Sequence, residues 1–138
     1  MPRLTRISIS LEEDLQRRFD RLAAAEGYPT RSEALKALIR QRLVREEWTR
    51  GGVVAGAVTL VYDHHARELV NRLLDVQHDF VDVIVSNQHV HLDHHHCLEI
   101  VVVRGGTGRI RRLVSALKSV KGLKHHGLVM TTAGKNIA

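Results

Sequence analysis

Apolar and polar residues alternate in the first fifty positions in a pattern that predicts one strand followed by two helices. Every second residue is apolar from Arg6 to Leu11, as in a strand that buries one face. Apolar residues then recur at helical spacing on both sides of Gly27, which suits the end of a helix. Ser10 and Thr30 each stand three positions before a glutamate, which is the spacing of a capping box at a helix start.

This first module has a single predicted strand, which cannot form a sheet within one chain. Even a two-stranded hairpin is marginally stable in water, and roughly 50 residues are near the lower limit for an independent core. We therefore expect a dimer, in which the strand pairs with its copy in a second chain. Arg6, Ser8 and Ser10 then lie on the exposed face of a two-stranded ribbon, which fits the major groove of DNA. A plain dimerisation module is the alternative, but it leaves this polar face without a role.

The rest of the chain predicts a second module of four strands and two helices. Apolar runs of strand length alternate with two stretches of helical periodicity, in the order βαββαβ, which is the ferredoxin-like split motif. We therefore predict an α+β protein with domains at residues 1–50 and 51–138. The predicted strands are Val53–Tyr62, Phe80–Leu92, Cys97–Val103 and Leu123–Thr131, and the predicted helices are His64–Val76 and Ile110–Val120.

Composition and charge narrow the possible settings of the protein. The 138 residues are 43% hydrophobic and 26% charged, as in globular proteins. No apolar run approaches the roughly 20 residues that a transmembrane helix needs, and one cysteine allows no internal disulfide, so we expect a cytoplasmic protein. The net charge of +6 favours a polyanionic partner such as DNA, but the basic residues are spread over both modules.

A metal site is the most specific chemical prediction, in the stretch HVHLDHHHC at residues 89–97. His89 and His91 are two apart on a predicted strand, so their rings project from the same face. Cys97 begins the next strand, and a short turn brings it beside them. Two imidazoles and a thiolate suit Ni²⁺, Cu²⁺ or Zn²⁺ rather than Mg²⁺ or Ca²⁺, and Glu99 on the same strand face could accept a hydrogen bond from a ligand.

The same stretch also matches the H-x-H-x-D-H signature of the metallo-β-lactamase family of zinc hydrolases. That fold needs two packed βαβ halves, and the second module of this chain is already occupied by βαββαβ. Asp93, the only candidate base, falls in the predicted turn. We therefore disfavour a hydrolase.

Longer motifs connect the two modules to known families. The first module resembles the ribbon-helix-helix DNA-binding family in R-I-S-I-S-L and G-Y-x-x-R-S-E-A-L, with Arg6, Ser8 and Ser10 at its DNA-reading positions. Nearly the whole chain resembles the family of nickel-responsive transcriptional repressors (NikR), in V-Y-D-H, Q-H, H-V-H-L-x-H-x-x-C-L-E-I and G-L-K-H-H-G. This resemblance implies a ribbon-helix-helix domain followed by an ACT-type regulatory domain. It further implies a homotetramer, not an enzyme, that represses transcription at a palindromic operator.

The resemblance also implies which residues bind the metal. In that family three histidines and a cysteine bind Ni²⁺ in a square plane at the interface between subunits. On this chain the positions are His89, His91 and Cys97 of one subunit, with His78 from the neighbouring subunit. The residues alone supply only the first three of these ligands.

Two alternatives remain open at this point. The protein could sense another late transition metal, since Cu²⁺, Zn²⁺ and Co²⁺ also bind such ligands and affinity alone does not identify the physiological ion. Less favoured is a metal buffer or chaperone without a role on DNA, for which substitution of Arg6 would be harmless.

Overall fold

The computed structural model describes residues 2–137, which form two compact units. One unit extends to Leu43 and the other comprises Val44–Asn136. The helices are α1 (Glu13–Ala25), α2 (Arg31–Arg50), α3 (Arg67–Asp79) and α4 (Thr107–Lys118), and the strands are β1 (Val53–Asp63), β2 (Ile84–His91), β3 (His96–Gly106) and β4 (His125–Thr131).

The boundary between α1 and α2 follows the local sequence signals. Gly27 adopts a φ of 83°, and its N–H donates to the carbonyl of Ala24 while the Tyr28 N–H donates to that of Ala23. This pair of bonds is the Schellman motif, which satisfies the last carbonyls of a helix. The Thr30 hydroxyl then accepts a hydrogen bond of 3.1 Å from a backbone N–H in the first turn of α2. The sequence predictions for Gly27 and Thr30 are confirmed.

The capping-box prediction for the segment before α1 is wrong, and the strand prediction stays a prediction because it requires a second chain. The N-cap of α1 is Glu12, without a side-chain cap, so Ser10 does not form the predicted capping box. Residues 2–12 contain no strand, and Ile7 and Ile9 are 74% and 58% exposed. A strand is defined by its hydrogen-bonded ladder, and within one chain this segment has no neighbouring strand with which to form one.

The second unit contains a four-stranded antiparallel sheet in the order β2-β3-β1-β4. Buried residues of α3 and α4 share one apolar core with alternate residues of β1 and β3, so both helices cover the same sheet face. The predicted βαββαβ order is confirmed. As a result β2, which carries the histidines of the predicted metal site, is an edge strand.

Several element boundaries in this unit differ from the prediction by two to four residues, and local hydrogen bonds explain two of them. The helix α3 begins at Arg67 rather than His64, because the Asp63 carboxylate and carbonyl hold residues 64–66 in a turn. The strand β2 begins at Ile84 rather than Phe80, since residues 80–83 close a turn on the Phe80 carbonyl. Gly105 and Gly106 are the last residues of β3, and α4 begins directly after them at Thr107.

A tryptophan from the end of α2 completes this core. Trp48 is 2% exposed and its indole N–H donates to the Thr131 carbonyl at 2.9 Å. Gly56 of β1 lies beneath it, and a Cβ there would be 2.8 Å from the Val129 carbonyl oxygen and 3.2 Å from the indole. Glycine at this position therefore allows the close approach.

Within residues 2–137, no helix is both long enough and apolar enough to span a bilayer.

Candidate metal centre

The register of β2 and β3 places the three predicted ligands of one chain on one face. The donor atoms of His89 and Cys97 are in contact, whereas within residues 2–137 those of His89, His91 and Cys97 do not all lie within 4.8 Å of one another. His91 lies opposite Cys97, and His89 lies opposite Glu99 in the next row on the same face. Cys97 is in turn paired with Tyr62 of β1. We call His89, His91 and Cys97 the β2–β3 site.

The donor atoms of His89 and Cys97 are spaced as ligands on one late transition metal ion would be, whereas the His91 ring stacks on His64. The Cys97 Sγ lies 3.8 Å from the His89 Nδ1, and ligands on one ion are about 3–4 Å apart, given bonds of roughly 2.0–2.3 Å. Cys97 is 1% exposed, whereas the His89 side chain is 45% exposed. A sulfur donor beside imidazole nitrogens suits Ni²⁺, Cu²⁺ or Zn²⁺ and disfavours hard cations.

A buried carboxylate supports the site from beneath. Glu99 is 1% exposed and accepts hydrogen bonds from the Tyr62 hydroxyl at 2.7 Å, the Gln77 amide at 2.7 Å and the Asn87 amide at 3.2 Å. Its Oε2 lies 3.6 Å from the His89 Nε2. A buried carboxylate needs such donors. Glu99 thus lies beside the His89 ring without a hydrogen bond to it, and its role as an acceptor for a ligand stays a prediction.

Tyr62 connects this carboxylate to the ligands. Its hydroxyl lies 3.3 Å from the His89 Nδ1 while it donates to Glu99. Burial, and next the hydrogen bond to Glu99, raise the pKa of Tyr62 far above its ordinary value. The hydroxyl therefore remains a donor at any physiological pH.

Sequence reasoning missed Tyr62, Gln77 and Asn87. Each left a signal: Tyr62 alternates with buried Leu60 on β1, and Gln77 is buried one helical turn after Leu73. Asn87 shares the strand face of His89. Nothing in the linear pattern indicates that this hydroxyl and these two amides all donate to the Glu99 carboxylate.

His78 is an exposed residue of the last turn of α3, directly after buried Gln77. The contacts within the β2–β3 site are made by His89, Cys97 and Glu99 of the same chain, and His78 takes no part in them.

The turn between β2 and β3 is organised by Asp93. Its Oδ1 accepts hydrogen bonds of 2.8 Å from the backbone N–H groups of both His95 and His96. The hydrogen bond from the His96 side chain, followed by these backbone bonds, lowers the pKa of Asp93 well below its usual range. Asp93 thus closes the predicted turn and is held away from the role of a general base.

The predicted DNA-reading residues Arg6, Ser8 and Ser10 are exposed in the segment that precedes α1.

Comparisons with known proteins classify both parts of the chain. A family model described as the NikR C terminal nickel binding domain matches residues 55–131, and one described as ribbon-helix-helix protein, copG family, matches residues 5–46. A putative nickel-responsive regulator of Chlorobium limicola is 54% identical, covering 97% of this chain and 100% of that protein. One of Syntrophus aciditrophicus is 48% identical, covering 98% of each.

Among solved structures, an uncharacterized protein of Thermotoga maritima matches 56% of this chain and 96% of its own, with a TM-score of 0.52 and 14% identity. That likeness concerns the fold alone. The family models and the full-length relatives decide the classification: this chain belongs to the family of nickel-responsive regulators, with a ribbon-helix-helix domain followed by a C-terminal nickel-binding domain.

Proposed function

We propose that this protein is a cytoplasmic repressor of transcription that binds an operator tightly when Ni²⁺ is bound at the β2–β3 site. His89, His91 and Cys97 are the ligands from one subunit, and His78 of the partner subunit completes a square plane. The observation that carries the proposal is the pairing of the buried Cys97 sulfur with the His89 ring at 3.8 Å, above the hydrogen-bonded Glu99. A thiolate beside imidazole nitrogens is a donor set that suits Ni²⁺.

The edge position of β2 supports a shared site. All residues of β2 after Ile84 are exposed in the single chain, including Val85 at 62% and Val90 at 37%. An exposed strand edge with apolar side chains is a surface for another chain. Three ligands leave one position open on a four-coordinate ion. A donor from a second subunit therefore completes the site in a homotetramer.

The first unit supports a dimer that binds DNA. The buried apolar side chains of this unit are those of two small residues, Ala23 and Ala34. Many of its large apolar side chains are exposed in the single chain. Ile9 and Leu11 line an open groove of about 350 Å³ together with residues of α1 and α2. When the strands of two chains pair, the second copy covers this apolar groove. Arg6, Ser8 and Ser10 of the domain at residues 1–50 then form the DNA-reading face.

Metal binding and DNA binding are coupled through assembly. An ion that needs ligands from two chains stabilises the arrangement of residues 51–138 that presents both. If that arrangement also sets the spacing of the two DNA-binding dimers, Ni²⁺ favours binding to a two-fold operator. Typical couplings of this kind change affinity by roughly 5- to 150-fold.

The test is metal-dependent DNA binding of the full chain. An operator is first selected from randomised duplex DNA with Ni²⁺-loaded protein, and its affinity is then measured with Ni²⁺, Cu²⁺, Zn²⁺, Co²⁺ or chelator. Wild type is expected to gain at least about tenfold with Ni²⁺. Cys97→Ala is expected to lose this gain, and His126→Ala, a histidine variant on β4, is expected to keep it.

Arg6→Ala separates the two functions in the same assay. It is expected to abolish operator binding while Ni²⁺ still binds, because it removes a contact to DNA and no metal ligand. Arg17→Ala, in an exposed ion pair with Glu13, is the control. Equal DNA affinity of wild type and Cys97→Ala under all metals would remove the sensing role, and an inert Arg6→Ala would favour a metal buffer.

A further inference from the structure

A second group of metal-ligating side chains lies outside the β2–β3 site. Asp63, His65 and His95 each offer one ligand atom, and these three atoms lie within 4.8 Å of one another. We call them the surface histidine cluster. We propose that this cluster binds a divalent ion of the late first-row metals, Ni²⁺ included, in a weaker site that lies wholly within one subunit.

The backbone fixes the two segments that form the cluster. Asp63 is the last residue of β1 and pairs with His96 in the ladder to β3. The N–H of His64 donates to the carbonyl of His95 at 3.0 Å, and the Asp63 carboxylate accepts from the N–H of His65 at 2.9 Å. The end of β1 and the β2–β3 turn are therefore tied together, so binding needs only rotation of exposed side chains.

The spacing and the donor types suit a transition metal. The His65 Nδ1 and the Asp63 Oδ1 are 3.5 Å apart, close to the roughly 3–3.5 Å between neighbouring ligands on one ion with bonds of about 2.0–2.2 Å. Two imidazoles and one carboxylate favour Ni²⁺, Cu²⁺ and Zn²⁺ over Mg²⁺ and Ca²⁺. The carboxylate also supplies a negative charge beside the ion in a protein of net charge +6.

Further imidazoles extend from the cluster towards the β2–β3 site. Ring centroids of His64 and His65 are 4.1 Å apart, those of His65 and His94 are 5.5 Å apart, and those of His94 and His95 are 4.9 Å apart. The His64 ring also stacks on His91 at 4.6 Å with an interplanar angle of 17°. His64 therefore lies between the surface histidine cluster and His91 of the β2–β3 site, and the imidazole rings form one continuous surface.

The two sites differ in ways that an experiment can separate. The cluster has no thiolate, needs no second subunit and is exposed at His65 and His95. We therefore expect weaker binding and faster exchange than at the β2–β3 site, and no sulfur-to-metal charge-transfer band. The cluster does not depend on the proposed function, because none of its ligands is assigned to the β2–β3 site.

The experiment is a Ni²⁺ titration of the full chain by equilibrium dialysis, with absorption spectra recorded at each step. Wild type is expected to show a tight step with a thiolate band and a weaker step without one. His65→Ala/His95→Ala is expected to keep the tight step and lose the weaker one. The matched control His125→Ala/His126→Ala, which removes an exposed pair on β4, is expected to keep both.

Cys97→Ala separates this proposal from the proposed function. It is expected to lose the band and the tight step while the weaker step persists. Retention of the weaker step in His65→Ala/His95→Ala, or its loss in the β4 control alone, would overturn the cluster. Absence of the thiolate band in wild type would overturn the β2–β3 site and leave the cluster to be judged by its own variants. Far-ultraviolet circular dichroism confirms that each variant is folded.

Discussion

At the scale of single residues, the candidate site depends on the buried carboxylate of Glu99 as much as on its ligands. The carboxylate accepts hydrogen bonds from Tyr62, Gln77 and Asn87, which lie on three different elements. Glu99 therefore joins α3, which carries His78, to β2, which carries His89. The sequence predicted its position next to the ligands, but not these three donors.

Replacing Glu99 by glutamine is expected to weaken both the fold and the site. The new amide presents N–H donors to side chains that already donate, so at least one hydrogen bond within the core is lost. Unfolding by urea should show a loss of about 1–3 kcal/mol, the usual cost of leaving a buried polar group unsatisfied. Glu26→Gln, at the exposed end of α1, is the control and should change little. Equal stability of the two variants would contradict the role of the carboxylate.

Tyr62 gives the protein a specific sensitivity to alkaline pH. Its pKa in the folded protein is raised by burial and by Glu99, so above about pH 10 the unfolded chain releases a proton that the folded chain retains. Stability is therefore expected to fall as pH rises through that range, and Tyr62→Phe should flatten this part of the profile. The measurement is the free energy of unfolding at pH 8 to 11.

At the scale of elements, hydrophobic periodicity predicted the order of helices and strands, but hydrogen bonds and packing decided their ends. Apolar spacing is a property of the linear chain, whereas the turn at residues 64–66 depends on the Asp63 carboxylate. Trp48 was missed as a core residue because its neighbours in sequence are polar, and only the sheet surface above Gly56 gives it a place.

The contact of Trp48 with β1 makes a sharp prediction for two glycines. Gly56→Ala is expected to cost about 1–3 kcal/mol, typical of overpacking, because the new Cβ would lie 2.8 Å from the Val129 carbonyl oxygen. Gly52→Ala meets no atom within 4 Å and should be neutral or slightly stabilising. Urea denaturation followed by the fluorescence of Trp48, the single tryptophan, compares them. A Gly56→Ala protein as stable as Gly52→Ala would contradict the close packing.

At the scale of the whole molecule, neither unit is complete as a single chain. The first unit exposes its large apolar residues, and the second exposes the edge strand that carries His89 and His91. In the proposed homotetramer both deficits are met by further copies of the same chain, which is why assembly and metal binding belong to one proposal.

Mixed assemblies test whether the nickel site is shared between subunits. Neither His78→Ala nor Cys97→Ala alone should form the complete site. Co-assembled, they should regain part of the thiolate band, because a His78→Ala chain still supplies His89, His91 and Cys97 to a partner that supplies His78.

The matched control combines chains carrying His89→Ala and Cys97→Ala. Both substitutions remove ligands from the same side of the site, so no mixed pair is complete and no band should return. Recovery in this control, or none in the first mixture, would contradict a site between subunits.

The sequence by itself determined the kind of elements in residues 51–138 and their order, because periodicity is a property of short segments. It also predicted the chemistry of the β2–β3 site from the type and spacing of the ligands. His89, His91, Cys97 and the ferredoxin-like order could all be read from it. Only the tertiary structure showed which side chains are brought into contact. It showed the three donors to Glu99, the burial of Trp48 in the core and the proximity of Asp63 to His95. These contacts join residues far apart in the chain, and their distances exist only after the strands have paired in one register.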